Sequence, residues 1–248
     1  EDPTIPPFGF VIDYLTYGGL YREVWLEATA ESRLTDLFVY TPTLQEAVVQ
    51  WTAELTPAAA AVRIRLETAD GTLLAQQTAQ AAETGKMQLS VPDVQPWDTE
   101  HPVLHHAVAE LLNAAGQPID RKQVTFGFRT AEFRADGFYL NGKKTFLRGL
   151  NRHQSYPYIG YAAPEGLQRE DARILQEELH CTAVRTSHYP QSPYFLDECD
   201  RRGLLVFTEL PGWQHIGDDN WKDAACEMLR EMILQNRNHP SIILWGVR

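Results

Sequence analysis

The chain has 248 residues, 44% of them hydrophobic, 10% aromatic and 22% charged, with a formal net charge of −11 at pH 7. That is apolar material enough for real cores, and length enough for two ordinary domains or one large α/β barrel. The acidic balance, with a pI near 5.2, argues against a nucleic-acid backbone or an anionic membrane surface as main partner, because either would need a cationic face; a neutral or cationic small ligand stays open.

Residues 1–30 offer two candidate strands, 8–15 and 21–28, with no earlier segment to pair with them, and read as the remnant of a preceding β domain. The first seven residues lack the basic and apolar regions of a signal peptide, and no apolar run approaches the roughly 18 to 20 residues of a membrane-spanning helix. Cys181, Cys199 and Cys226 have no CxxC spacing, so neither a disulfide framework nor a zinc site is expected, and all three read as buried thiols. A cytoplasmic location is the expectation these features give.

From 31 to 129, short runs rich in Val, Tyr, Thr and Leu (37–40, 47–55, 61–67, 87–91, 103–112, 123–128) are separated by turn chemistry such as Ala69-Asp70-Gly71 and Asn113 to Pro118. Val62, Ile64 and Leu66 alternate with Arg63, Arg65 and Glu67, as expected of a strand with one buried face. The pattern predicts an immunoglobulin-like β-sandwich. His101, His105 and His106 fall inside it and read as surface or core histidines without a functional role.

Beyond Asp136 the grammar changes. Residues 138–140 and 144–147 flank Asn141-Gly142, a type I′ hairpin signal, and lead into an apolar strand ending near Leu150. Then come a helix over 166–180 with Leu167, Ile174, Leu175 and Leu179 on one stripe and Gln168 to Asp171 facing water, a strand at 182–187, and a helix at 193–202 stopped by Gly203. A strand at 204–210, a helix at 221–236 capped around Asp218, Asp219 and Asn220, and a strand at 241–245 complete a β-α-β-α-β-α-β series. Apolar strands separated by amphipathic helices imply a parallel sheet, either open and doubly wound or half of an eight-stranded barrel. No phosphate-binding glycine loop follows any strand, which disfavours the nucleotide-binding version.

In a parallel barrel the working residues gather at the carboxyl ends of the strands. Here strand one runs into Asn151-Arg152-His153, strand two carries Arg185 and ends in Ser187-His188-Tyr189, strand three ends in Glu209, and the next loop supplies Trp213 and His215. Imidazole and guanidinium groups hydrogen-bond sugar hydroxyls, and aromatic planes stack on pyranose C–H faces. Arg185 has a competing structural reading as the partner of Glu209, and His188 one as a residue that merely orders the loop before Tyr189-Pro190.

Phe126-Gly127-Phe128-Arg129, Asn141-Gly142-Lys143 and Leu147 through His153 resemble the passage from the immunoglobulin-like domain into the barrel of family 2 glycoside hydrolases, the β-galactosidase and β-glucuronidase group. Ala183 through Pro190 and Asn236 through Trp245 are similar to that family's second- and fourth-strand motifs, and Gly18-Gly19-Leu20-Tyr21-Arg22-Glu23-Val24 to the close of its jelly-roll domain. The resemblance implies a jelly-roll remnant at 1–30, an immunoglobulin-like sandwich at 31–129 and the first half of a TIM (β/α)8 barrel at 130–248.

It implies a retaining β-glycosidase whose substrate contacts include His153, Arg185, His188, Glu209, Trp213, His215 and Trp245. Both catalytic glutamates are expected beyond Arg248, so the chain alone is expected to be inactive, with Glu209 in a supporting role. The family's magnesium-holding Glu-x-His is replaced by Trp213-Gln214-His215, so no metal or cofactor is expected. The expected partner is a carbohydrate, with self-association through open half-barrel edges. The alternative reading is a non-catalytic carbohydrate-binding or scaffold protein.

Overall fold

The computed structural model of the chain describes residues 2, 4–9, 12, 14–212 and 214–247. They form two compact units, one of Glu1–Val24 with Phe146–Arg248, the other of Trp25–Thr145.

In the second unit, β1 (Arg33–Thr43), β2 (Glu46–Glu54), β3 (Ala61–Thr68), β4 (Leu73–Gln80), β5 (Thr84–Ser90), β6 (His105–Leu112) and β7 (Pro118–Phe126) make two antiparallel sheets, ordered β1-β2-β5 and β4-β3-β6-β7. This is the predicted sandwich. The alternation read from β3 places Val62, Ile64 and Leu66 in the core with Val49, Leu111, Phe126 and Phe128. Each such fully buried side chain stabilises the fold by about 1.5–3 kcal/mol. Arg63 and Arg65 point the other way and pair with Glu110 and Glu67. A small sheet of β8 (Ala131–Arg134), β9 (Gly137–Leu140) and β10 (Lys143–Thr145) follows, its β9–β10 turn made by Asn141 and Gly142 at φ 53° and 76°. Positive φ at both positions is what a type I′ turn demands.

In the first unit, β11 (Gly149–Arg152), β12 (Ala183–Thr186), β13 (Leu205–Glu209) and β14 (Ile242–Gly246) form one parallel sheet in that order. The connections are α1 (Glu165–Arg173) continuing into a π-helical turn (Ile174–Glu178), α2 (Pro193–Arg202) and α3 (Asp219–Asn236). Val184, Val206 and Ile242 meet Ala172, Leu175, Phe195, Leu196 and Cys199 of the helical layer. On the other face, Asn151, Arg185, Phe207 and Leu244 lie in one register row and are partly or fully exposed. One covered and one open face, with strands in sequential order, is the start of a barrel wall. α2 begins with Pro193 and ends at Gly203 in the left-handed conformation, φ 70°, where a residue with a Cβ is disfavoured. The Asp218 carboxylate accepts from the Trp221 N–H at 3.0 Å and caps α3.

Several expectations are corrected. Among the described residues, neither 8–15 nor 21–28 contains a strand; with no neighbouring strand, backbone acceptors there meet side chains instead, Leu15 O taking the Tyr161 hydroxyl and Phe8 O the Trp221 indole. Gln168 does not face water but is fully buried, and Asp171 is drawn to Arg152. The cause is a buried arginine that needs acceptors, together with the π turn, which shifts the helix phase and leaves Leu179 exposed. Cys226 is exposed rather than buried, while Cys181 and Cys199 are buried free thiols. No helix among the described residues is long and apolar enough to cross a membrane.

Candidate functional site

The alternation of β11 decides what its end presents. Arg152 points into the helical layer, where its guanidinium donates to Asp171 at 2.6 and 2.9 Å, to Gln168 at 2.8 Å and to Gln191, and lies over the Phe195 ring. Although it stands with the polar residues that end the first barrel strand, Arg152 is therefore a buried strut. Gln191 returns a hydrogen bond to Arg152 O at 2.8 Å, tying the ends of β11 and β12 together.

On the open face, Glu209 is the hub. Its side chain is fully buried, with Oε2 accepting from Arg185 Nε at 3.0 Å and NH2 at 2.8 Å, and Oε1 accepting from His188 Nδ1 at 2.6 Å. A nitrogen that close to a carboxylate oxygen carries a proton, so Nδ1–H of His188 faces Glu209. The structural reading of Arg185 as the partner of Glu209 is thus met in geometry, and Arg185 also stands beside His188 at 3.4 Å. Opposite Glu209, a Cβ on Gly246 would come within 2.6 Å of the Glu209 Cβ, so the close approach of β14 requires glycine.

His153 joins the group through its ring, 5.5 Å from that of His188, and through Nδ1, 3.2 Å from the Tyr189 hydroxyl. The Tyr189 hydroxyl also accepts from Gln154 N at 3.3 Å. Tyr14, from the irregular N-terminal segment, packs 5.8 Å from each histidine ring and 5.3 Å from Tyr189. Arg22, from the same segment, donates to Gln191 O at 3.0 Å and to Gln154 Oε1 and Pro190 O at 3.4 Å, bracing the loops that follow His153 and His188. Burial raises the phenol pKa of Tyr161 and Tyr189, keeping both protonated donors.

Of the expected residues, His153, Arg185, His188 and Glu209 come together. His215 packs edge-on against Trp221. Trp245 is corrected in position: it pairs in register with Thr208, on the face opposite Glu209, and packs against the core beneath the helices. Trp213 lies outside the described residues. Tyr189 stands where the strand-end reading placed it, whereas that reading missed Tyr14 and Arg22; three tyrosines within eight residues (Tyr14, Tyr17, Tyr21) were the available signal.

One other set of ligating side chains exists among the described residues: Asp197, Asp200 and His239, whose ligand atoms lie within 4.8 Å of one another. Asp200 is already committed there, accepting from His239 Nδ1 at 2.5 Å and Ser241 N at 3.0 Å. Burial opposes the His239 imidazolium, but the charge and hydrogen bond of Asp200 outweigh it and raise its pKa. The set is a clasp holding α2 to the start of β14.

An antiparallel sandwich followed by parallel β/α units, with arginine, histidine and carboxylate side chains clustered at the carboxyl ends of adjacent strands, defines a modular protein with a barrel-type site. Residues 32–129 match glycosyl hydrolases family 2, and residues 131–248 match the family 2 TIM barrel domain. The chain is 44% identical over 257 aligned residues to a β-galactosidase of Thermoanaerobacter pseudethanolicus, covering 100% of this chain and 34% of the relative. It is also 44% identical to a β-galactosidase of Thermoanaerobacterium thermosulfurigenes, of which it covers 36%. Among solved structures, β-glucuronidase 3 of Bacteroides uniformis superposes with a TM-score of 0.88 at 32% identity, over 99% of this chain and 32% of that one. The chain belongs to glycosyl hydrolases family 2. It spans about a third of the length of these relatives.

Proposed function

We propose that these residues are part of a retaining β-glycosidase of the galactosidase and glucuronidase kind, in which His153, Arg185 and His188 receive the terminal sugar ring and Glu209 holds them in place. The observation that carries this reading is the hub itself. One fully buried carboxylate at the end of β13 fixes a guanidinium and an imidazole from the end of the neighbouring parallel strand β12, a rim suited to hydroxyl groups.

Retaining hydrolysis needs two carboxyl groups about 5–5.5 Å apart, one as nucleophile and one as acid and base. Glu209 has both oxygens engaged by Arg185 and His188, so it is a poor nucleophile and serves in support. The 248 residues alone are therefore expected to turn over neither substrate. The reading needs no magnesium beyond β13: where the family's magnesium-holding Glu-x-His stands, this chain has Trp213-Gln214-His215, without the carboxylate.

The test is an assay of this chain, and of a chimera completing it with the remaining barrel of the Thermoanaerobacter β-galactosidase, on nitrophenyl β-galactoside and β-glucuronide. Turnover by the chimera, reduced about 10²-fold in kcat/KM by His188→Ala, is the expected result. A folded chimera active on neither substrate would refute the glycosidase reading, and turnover by the 248 residues alone would refute their inactivity.

A further inference from the structure

The clasp between α2 and the start of β14 has a member that does no clasping. Asp200 and His239 hold each other at 2.5 Å, and the Ser241 N–H holds Asp200 Oδ1 at 3.0 Å. Asp197 stands one helical turn before Asp200 on α2, and its carboxylate takes no hydrogen bond or ion pair among the described residues. Burial raises the Asp197 carboxyl pKa above the usual range, with His239 pulling it back and Asp200 adding to the rise. Arg169, which also acts on Asp197, is itself paired with Glu165 and Glu198. Two carboxylates thus face one imidazole, and a half-buried carboxylate without a donor is costly unless a cation meets it. Ser241 adds a second orphan oxygen next to the set: its hydroxyl is fully buried and meets no partner among the described residues.

Spacing and ligand type narrow the cation. One ligand atom from each of Asp197, Asp200 and His239 lies within 4.8 Å of the others. Three ligands about 2.0–2.2 Å from a tetrahedral centre stand roughly 3–4 Å apart, so small side-chain adjustments close the set on one ion. An imidazole nitrogen with two carboxylates suits zinc or a similar first-row ion, whereas magnesium and calcium want oxygen alone. Asp197 and His239 are each partly exposed, so an ion can reach them from solvent.

We propose that Asp197, Asp200 and His239 bind one divalent transition-metal ion of the zinc class, which takes the place of the proton between Asp200 Oδ2 and His239 Nδ1 and uses Asp197 as its third ligand. The displaced proton leaves to solvent, and the ion cross-links α2 to the entry of β14. The site lies at the amino end of β14, whereas Glu209 and its partners stand at the carboxyl ends of β12 and β13. It is structural and rests on no part of the glycosidase reading.

The test is a calorimetric titration of the chain with zinc chloride and with magnesium chloride, paired with thermal unfolding in each salt. Zinc is expected to bind at least about tenfold more tightly than magnesium and to raise the unfolding temperature, since the unfolded chain lacks the assembled site. Asp197→Asn leaves the Asp200, His239 and Ser241 contacts in place, yet should weaken zinc at least about tenfold, because losing even an outer-shell partner of a metal commonly costs that much. Its unfolding temperature should no longer respond to zinc. A zinc-soaked crystal of the parent, which needs no variant, should show anomalous density about 2.0–2.2 Å from Asp197 and His239. No zinc binding, equal affinity of parent and Asp197→Asn, magnesium bound as tightly as zinc, or density confined to His153 and His188 would each overturn the proposal.

Discussion

Glu209 accepts hydrogen bonds on both oxygens while wholly buried, and breaking such a pair strands charge. Glu209→Ala leaves Arg185 and His188 facing an apolar hole, and is expected to destabilise the chain by about 3 kcal/mol, read as a lower urea midpoint at unchanged m-value. A second residue sets the response to acid. His105 is buried against Phe126 and Phe128, and burial, with His106 adding to it, depresses its pKa to about 4. The unfolded chain binds this proton near pH 6.5 and the folded chain does not, so the neutral ring contributes stability above pH 6.5 that is lost as pH falls towards 4. The loss amounts to about 3 kcal/mol. A His105→Leu chain compared with the parent by urea titration at pH 4, 5.5 and 7 should lack that slope; parallel profiles would show that His105 does not couple to folding. Candidate site residues were legible from the sequence where polar side chains follow directly on a predicted barrel strand, as His153 and His188 do. Trp245 and Arg152 were not, because facing direction within a four- or five-residue strand depends on a register that composition does not carry.

Elements with strong end signals were read closely. α2 runs from its proline to the residue before its glycine, as expected. Gly203→Ala is expected to cost about 1 kcal/mol, since alanine must take up the left-handed conformation, and Asp218→Ala about as much through loss of the α3 cap. Thermal unfolding followed by circular dichroism separates either from a neutral change. α1 was read in the wrong phase beyond its first turn, because the π turn and the demand of Arg152 for acceptors are tertiary facts. β4 was missed for a simpler reason: Leu73–Gln80 is an edge strand with mostly exposed side chains and shows no alternation to detect.

At the scale of the molecule, the sandwich and the parallel series were legible because hydrophobic period alone separates them, whereas the N-terminal segment was misread as strands because its tyrosines mimic strand composition. The parallel sheet has β11 and β14 at its borders, with Leu150 51% and Leu244 39% exposed. Among the described residues neither border strand has a second neighbouring strand, and open borders with uncovered leucines favour association of one copy with another. Sedimentation velocity is expected to show mass rising with concentration, and Leu150→Lys to return the chain towards monomer; a single monomeric species at all concentrations would sink that expectation.

The strut formed by Arg152 reaches further than its own contacts. Because the strand turns this residue inward and anchors it to α1 and to Gln191, its neighbours Asn151 and His153 inherit their aim from the helical layer beneath the sheet. The surrounding loops can then vary over evolutionary time without disturbing the direction in which the first histidine looks, and engineers who wish to rebuild such a rim have a fixed bearing from which to work.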